Sequence, residues 1–382
     1  MAGFSDLETE RRIHAWLNAG LRPRRPGRLQ REYPFLFGPE SSAVPITLYL
    51  GRRPAAFCIL WPSNFRLGQG SLRVGLISLV YTAPEFRGQG YASSVIEAAI
   101  SEANRLGLGC VALWSDLDAF YTRLGFRPAG AETLLQLDRP LLDRALSIHA
   151  RSSPELLETD VPRSPSAADW ERIETLRAQR RCNHPLRLLP GPMGGIPDMQ
   201  VRVAGESSAA PDFGFAMRGR GDDFPGFIHE WGGDTGGALQ CLRALTGNDP
   251  LTQSTLLLAA DADAELVESL LAAGASSATQ PLAWFRFADV EAFSAEISRC
   301  IGQHFTLRRV NTDNPLDHEK ELSLRSAHAE IRLPTQTVLN GFLGSALELT
   351  RQDSAAELLP LFRRDTPPSL PLPFFISGLE SI

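Results

Sequence analysis

Lysine is nearly missing from this 382-residue chain: Lys320 is the only one, and the other 37 basic residues are arginine. The first three hundred residues therefore hold no lysine nucleophile and no lysine phosphate clamp, and no Walker-type loop, Gly-x-x-x-x-Gly-Lys-Ser/Thr, can be written. Cysteine is sparse as well. Cys58, Cys110, Cys182, Cys241 and Cys300 lie far apart with no Cys-x-x-Cys pair, which excludes a zinc ribbon and a disulfide framework and reads as buried thiols. The seven histidines are scattered without a His-Glu-x-x-His pair, so no metal is expected. An uninterrupted apolar run of about 18 residues is lacking, so no membrane-spanning helix and no membrane partner are expected. The opening MAGFSDLETERRIHAW is acidic and polar where a secretory signal would be basic and then apolar, and the expected compartment is the cytoplasm.

What the chain does have is ordinary globular material. Apolar residues make up 43% and charged residues 21%, enough to bury a core and too apolar for a disordered chain. At roughly 100–200 residues per domain the length predicts two or three domains. The net charge of −6 is unevenly spread: residues 1–150 hold 17 arginines against 13 acidic residues, and the remainder holds 21 basic against 31 acidic. The balance is thus +4 in the first segment and −10 in the rest. The basic run Arg22–Arg31 has only Tyr33 near it as an aromatic, so no nucleic-acid partner is expected.

Periodicity predicts a mixed α+β order. Residues 1–20 read as an amphipathic helix with Leu7, Ile13, Trp16 and Leu17 on one face. Strands are expected at Pro45–Leu50, Ala55–Trp61 and Leu72–Thr82, then a helix from Tyr91 to Leu106 stopped by Gly107 and Gly109. Cys110–Trp114 reads as a strand, Leu117–Leu124 as a short helix, and Phe126–Ala129 and Thr133–Leu137 as the last strands of this unit. Residues 146–168 carry three prolines and five serines without periodicity and read as a linker. Beyond it helices are expected at Asp169–Arg181, Thr235–Leu245 and Ala262–Ala273. Strands are expected at Gln200–Ala204, Phe213–Arg218, Gly226–Trp231 and Ser254–Ala259. That order repeats the first unit's and points to an internal duplication. Helical segments follow at Val290–Ile301 and Thr335–Leu347, then a proline-rich tail.

The chemistry-bearing segment is LISLVYTAPEFRGQGYASSVIEAAISEA, in which a strand, a short loop and a helix follow at once. Gly88 and Gly90 let the backbone turn sharply and approach a ligand closely. The N–H groups of Gly88, Gly90, Tyr91 and Ala92 can converge on phosphate oxygens at a helix N-terminus, and Arg87 adds a full charge. A dinucleotide fingerprint would need Gly-x-Gly-x-x-Gly, and Arg87-Gly88-Gln89-Gly90-Tyr91-Ala92 holds only its first half.

The segment resembles the acetyl-CoA-binding motif of the GCN5-related N-acetyltransferase (GNAT) superfamily, Gln/Arg-x-x-Gly-x-Gly/Ala. Arg87, Gly90 and Ala92 fill its three specified positions. SLVYTAPEF before the loop, CVALW after the helix and AFYTRLGFRPAG beyond come in that family's order over about residues 45–140. The resemblance implies a GNAT fold with a central mixed sheet over residues 1–145. It implies a β-bulge in the strand before the loop and a gap beside it for the pantetheine arm. Backbone groups of Val80, Tyr81 and Thr82 would line that gap, and Arg87, Gly88, Gln89, Gly90, Tyr91 and Ala92 would hold the phosphates. It also implies acetyl-CoA as co-substrate, a primary amine as acceptor attacking directly in a ternary complex, and Tyr121 as general acid; ordinary aromatic packing is the other reading of Tyr121. Many members carry an asparagine where Ser115 and Asp116 stand. Asp116 either orients or deprotonates the amine or caps the helix at Leu117, and capping is the expectation.

Residues 169–283 contain FAMRGRGDDFPGFIHEWGGDTGGAL, which echoes the motif's shape but puts Asp234 and Glu230 where phosphates would go. A degenerate GNAT-like domain is expected there, followed by a C-terminal portion over 284–382. His229 and Glu230 are either acceptor-side polar groups or a satisfied structural pair. The tandem layout is similar to the enhanced-intracellular-survival type of aminoglycoside acetyltransferase, which implies a C-terminal carboxylate, here Ile382, as base. The acidic second part favours a cationic small-molecule or peptide amine, and a homo-oligomer is compatible with the layout. The alternative from another class is a non-catalytic CoA-binding sensor or scaffold.

Overall fold

The computed structural model describes residues 7–25, 27–38, 41–67, 70–152, 162–179, 195–246, 254–258, 264–310, 321–344, 348–362, 368 and 370–372. The chain opens with helices α1 (Leu7–Leu21), α2 (Leu29–Glu32) and α3 (Pro34–Phe37). Strands β1 (Val44–Leu50), β2 (Arg53–Leu67) and β3 (Gly70–Thr82) follow, then helix α4 (Tyr91–Arg105), strand β4 (Cys110–Leu113), helix α5 (Asp118–Arg123), and strands β5 (Arg127–Ala129) and β6 (Glu132–Leu137). The middle comprises α6 (Arg139–Ser152), α7 (Ala167–Gln179), β7 (Gln200–Ala204), β8 (Gly214–Arg218), β9 (Phe227–Gly233), α8 (Thr235–Thr246), β10 (Ser254–Leu258), α9 (Ala264–Ala272) and β11 (Ser276–Gln280). The last part holds β12 (Ala283–Phe287), α10 (Val290–Ile301), β13 (Thr306–Arg309), β14 (Glu321–Arg325), β15 (Glu330–Pro334), α11 (Thr335–Leu343) and α12 (Glu348–Leu358).

These elements form two compact units, each drawn from separate stretches of chain. The first takes residues 1–131 and 281–374, the second residues 132–280. The first unit's mixed sheet runs β1-β2-β3-β4-β12-β5, and the second unit's runs β11-β6-β10-β9-β8-β7. A third sheet, β13-β14-β15, belongs to the C-terminal part. The fold is thus mixed α/β: two sheet bodies of similar order and a C-terminal portion.

Strand β6 departs from the sequence expectation. The sequence places Thr133–Leu137 in the first unit, but β6 pairs antiparallel with β10 and β11 in the second. The corresponding place between β4 and β5 is filled by β12, from 150 residues further on, with Trp284 opposite both Leu113 and Pro128. Alternating apolar residues specify a strand and its buried face but not its neighbour. For the same reason β11, β12 and the three-stranded sheet escape the periodicity reading.

The expected linker also begins later than its serines imply. Residues 146–152 are the last turns of α6, because Leu141, Leu142 and Ala145 bury into the second unit's core at helical spacing. Ser147 satisfies its hydroxyl within the helix, on the Asp143 carbonyl at 2.8 Å.

In the first unit α4 buries Val95, Ile96, Ala99, Ile100 and Ala103 at three- and four-residue intervals. They meet Ala56, Cys58 and Leu60 of β2 and Ile77 of β3. Each buried Val or Ile side chain contributes roughly 1.5–3 kcal/mol, so this face fixes where the helix N-terminus points. The basic run is absorbed locally: Arg22 and Arg28 both bond buried Glu32, at 2.6 and 2.8 Å.

Candidate active site in the first unit

The site begins with an irregularity in β3. Against β2, Ile59 faces Ser78 but Phe57 faces Tyr81, so Cys58 alone opposes both Leu79 and Val80. Leu79 takes φ of 52°, the left-handed region that a leucine rarely enters. This is a β-bulge, which bends its strand and breaks the ladder beside it. On its other edge β3 pairs with β4 only at Val74, Gly75 and Leu76. From Ile77 to Thr82 that edge has no strand partner among the described residues, and the two strands part. Val80, Tyr81 and Thr82 lie on this stretch. Val80 is partly buried, and the Tyr81 ring turns away to pack edge-on against Trp16 at 4.9 Å.

The loop after β3 is braced but open. A 3-10 turn over Pro84–Phe86 starts it, with the Ala83 N–H on the Ala55 carbonyl at 3.0 Å. Arg53 pairs with Glu85 and lies over the Phe86 ring at 5.2 Å from its centroid. Arg87 Nε donates back to the Thr82 carbonyl at 3.2 Å, so its guanidinium helps to hold the loop. Gly88 and Gly90 take φ of 74° and 83°. A Cβ added at either would meet no atom within 4 Å; these two glycines face open space rather than protein. Gly90 is also the N-cap of α4, and no side chain caps that helix. Its first N–H groups, on Tyr91 and Ala92, stand at the positive end of the helix dipole. Gln89 is exposed and reaches the Glu85 carbonyl at 3.4 Å. The arrangement, an open glycine loop at a helix N-terminus without a side-chain cap, lies immediately beyond the bulge.

Tyr121 lies on α5, where its buried ring is held edge-on by Phe120 at 5.0 Å and Phe126 at 5.7 Å. Burial and nearby Cys58 push its pKa up to about 12. Its proton therefore stays on at ordinary pH, the state a general acid needs. The Cys58 thiol donates to the Val95 carbonyl at 3.3 Å, and burial raises its pKa well above the usual thiol range. Cys110 is buried and raised likewise. Neither is a thiolate nucleophile. Cys58, Cys110, Cys241 and Cys300 are all buried and unbridged; Cys182 lies outside the described residues.

Asp116 is not a cap. The N-cap residue of α5 is Leu117, without a side-chain bond, and Ser115 Oγ accepts the Leu117 N–H at 3.0 Å. Serine holds its hydroxyl close to its own backbone and closes this turn on the N–H two residues on. Asp116 is left exposed beside 59%-exposed Leu117. Trp284, which sequence reading missed, joins the same cluster: its Nε1 donates to the Ser115 carbonyl at 3.2 Å. Only the pairing of β12 with β4 reveals it. Ile382 lies outside the described residues.

The second unit repeats the geometry with the loop closed. Strand β9 is irregular against β8 between Met217 and Arg218, and its pairing with β10 is parallel. At the start of α8, however, the Asp234 carboxylate accepts the Gly237 N–H at 3.0 Å. A Cβ on Gly237 would lie 2.3 Å from the Asp212 carbonyl oxygen, so backbone fills the space left open beside Gly88 and Gly90. His229 and Glu230 are both buried. Buried Glu230 pairs with buried Arg177 at 3.3 Å, and His229 Nε2 meets the Gly219 carbonyl at 3.0 Å. Burial lowers the His229 pKa to about 4, so the ring is neutral and Nε2 is the donor. Among the described residues no group of three or more His, Cys, Asp or Glu side chains could hold a metal ion, and no helix is long and apolar enough to cross a membrane.

Comparison with known proteins agrees with this geometry. Residues 9–126 match the acetyltransferase (GNAT) family profile. No curated protein sequence matches the chain. Among solved structures the chain is similar to Eis1 from Mycobacterium abscessus, at 14% identity and a TM-score of 0.59 over 98% of both chains. It is also similar to a GCN5-related N-acetyltransferase from Anabaena variabilis, at 12% identity and a TM-score of 0.58 over 95% of this chain and 97% of that one. A further GCN5-related N-acetyltransferase, from Kribbella flavida, is 17% identical with a TM-score of 0.55 over 88% of each chain. At these identities the solved structures establish a shared fold. The bulge and the start of the open glycine loop thus lie in the segment that matches the acetyltransferase (GNAT) family profile, and the chain as a whole shares its fold with these solved structures.

Proposed function

We propose that the chain is an acetyl-CoA-dependent N-acetyltransferase that moves an acetyl group to a primary amine by direct attack in a ternary complex. One observation carries the reading: a bulged strand parted from its neighbour leads straight into an open glycine loop at an uncapped helix N-terminus. A thioester with a phosphate-bearing handle fits that combination. The N–H groups of Gly88, Gln89, Gly90, Tyr91 and Ala92 would hold the pyrophosphate, with Arg87 beside them. Backbone groups of Val80, Tyr81 and Thr82 would lie along the pantetheine. A β3 N–H would steady the oxygen that gains charge on attack.

Tyr121 is assigned the general-acid role, giving its proton to the departing sulfur. Buried, protonated Cys58 and Cys110 support direct transfer over a covalent thiol intermediate. Asp116 and the Ile382 carboxylate are the proposed acceptor-side groups, and the −10 balance of residues 151–382 favours a cationic amine. The test is calorimetric acetyl-CoA binding followed by CoA release over a panel of amines. Binding with release from cationic amines is expected. Binding without release from any amine would mean a sensor, and release only with neutral or acidic amines would remove the cationic assignment.

A further inference from the structure

We propose that Trp284 is a positioning residue that fixes where Tyr121 presents its proton; this rests on the acyl-transfer reading above. The backbone of Trp284 is held on both sides. Strand β12 is laddered along both edges, with Trp284 opposite Leu113 of β4 and Pro128 of β5. Its side chain packs against the core cluster that holds Leu113, Tyr121 and Phe126, and its Nε1 donates to the Ser115 carbonyl at 3.2 Å. Ser115 lies in the turn that joins β4 to α5. There Ser115 Oγ accepts the Leu117 N–H at 3.0 Å. The Leu117 carbonyl accepts the N–H groups of Phe120 at 2.9 Å and Tyr121 at 3.2 Å, the first bonds of α5. A path of hydrogen bonds through this one turn thus joins Trp284 Nε1 to the main chain of Tyr121. Helix α5 spans only 6 residues and its N-cap residue, Leu117, makes no side-chain bond, so the helix is too short to hold itself in water. Its direction is set by what ties its ends. The far end is tied to a neighbour of β12: Arg127 of β5, paired with Phe285, donates to the Thr122 carbonyl at 3.1 Å. The near end is tied by Trp284.

In the step itself the amine nitrogen bonds to the thioester carbonyl carbon and the C–S bond breaks. The electron pair of that bond leaves on sulfur, which takes the Tyr121 proton. Water accepts the proton shed by the amine nitrogen and returns one to Tyr121. An amide and a free thiol result, and nothing is oxidised or reduced. In this role Trp284 exchanges no proton; it controls a distance. Proton transfer needs Tyr121 Oη within about 2.6–3.2 Å of its acceptor, and a misplacement of about 1 Å can cost about 10²-fold. Releasing one end of α5 allows a smaller shift than that, and a loss of about tenfold is expected.

The experiment compares Trp284→Phe with Trp231→Phe, each alone and combined with Tyr121→Phe. Trp231 is the control: its Nε1 donates to the Leu257 carbonyl at 3.4 Å in the second unit, so its variant deletes the same kind of bond without touching α5. Trp284→Phe keeps an aromatic ring and loses the N–H. It lowers kcat about tenfold, with KM and calorimetric Kd for acetyl-CoA unchanged, and Trp231→Phe keeps the parent kcat. In a Tyr121→Phe background Trp284→Phe costs less than about twofold, because the group it positions is gone. Trp284→Leu also lacks the donor, carries the same expectations, and serves if Trp284→Phe fails to fold. A second readout needs no turnover: the Phe120 and Tyr121 amides exchange with solvent faster in Trp284→Phe and at the parent rate in Trp231→Phe. A kcat within about threefold of the parent, an equal loss in Trp231→Phe, a loss that persists in the Tyr121→Phe background, or unmoved amides in an active enzyme overturns the Trp284 assignment alone. Faster amides in a chain that binds acetyl-CoA but releases no CoA from any amine overturn the acyl-transfer reading, and the role given to Trp284 with it.

Discussion

Three glycines with the same backbone strain but different surroundings separate a stability effect from a binding effect. Gly51, Gly88 and Gly90 have φ of 60°, 74° and 83°, and a Cβ on any of them would touch nothing within 4 Å. Alanine at each site meets the left-handed penalty of about 1–2 kcal/mol, so all three variants should lose similar stability, about 2–6 °C in Tm. Gly51 sits in the β1–β2 turn, outside the glycine loop, although its neighbour Arg53 braces the start of that loop at Glu85. Gly88 and Gly90 border the cradle, where a methyl group occupies the approach to N–H groups that would meet phosphate oxygens. Displacing one charge-assisted hydrogen bond removes about 1.5–3 kcal/mol, or about 10- to 150-fold in Kd. Calorimetric titration of acetyl-CoA into the three variants reads this directly. Gly90→Ala and Gly88→Ala should bind at least tenfold more weakly, and Gly51→Ala should bind as the parent does. Equal Kd values across all three, with the expected Tm losses, would refute the cradle.

Other expectations follow from the same geometry. Tyr121→Phe should lower kcat about 10²–10³-fold with little change in KM, since general-acid catalysis supplies that order. With the Tyr121 pKa near 12, the kcat–pH profile should show no fall from Tyr121 ionisation below about pH 11, and an alkaline limb that disappears in Tyr121→Phe would contradict this. His229 titrates at about 4 in the folded chain and about 6.5 when unfolded. The unfolded chain therefore binds the extra proton first, and stability is full above about pH 6.5 and falls toward pH 4, by up to about 3 kcal/mol. Denaturation across that range should show a shallower fall in His229→Gln. Asp234→Ala removes the α8 cap and should cost about 1 kcal/mol without creating a second acetyl-CoA site, because backbone still fills the space beside Gly237; a binding stoichiometry of two would contradict that.

The cradle was legible because its chemistry is local: Gly88, Gly90 and the start of α4 are adjacent in the chain, and their φ/ψ needs are written in residue type. The bulge was implied by family resemblance and appears at Leu79, a residue whose own preference argues against φ of 52°. What sequence missed is set by long-range pairing. Thr133–Leu137 reads correctly as a strand and wrongly as to its sheet, and Trp284 reaches Ser115 only because β12 lies between β4 and β5. Asp116 was misread for a different reason. Aspartate and serine both favour helix starts, and Ser115 took the Leu117 N–H first.

The most direct test of the central claim is thiol titration of CoA release when acetyl-CoA, the protein and a cationic primary amine are mixed. The account predicts one CoA per acetylated amine, with release requiring all three components and collapsing in Tyr121→Phe. Tight acetyl-CoA binding with no release above the uncatalysed rate for any amine would contradict it.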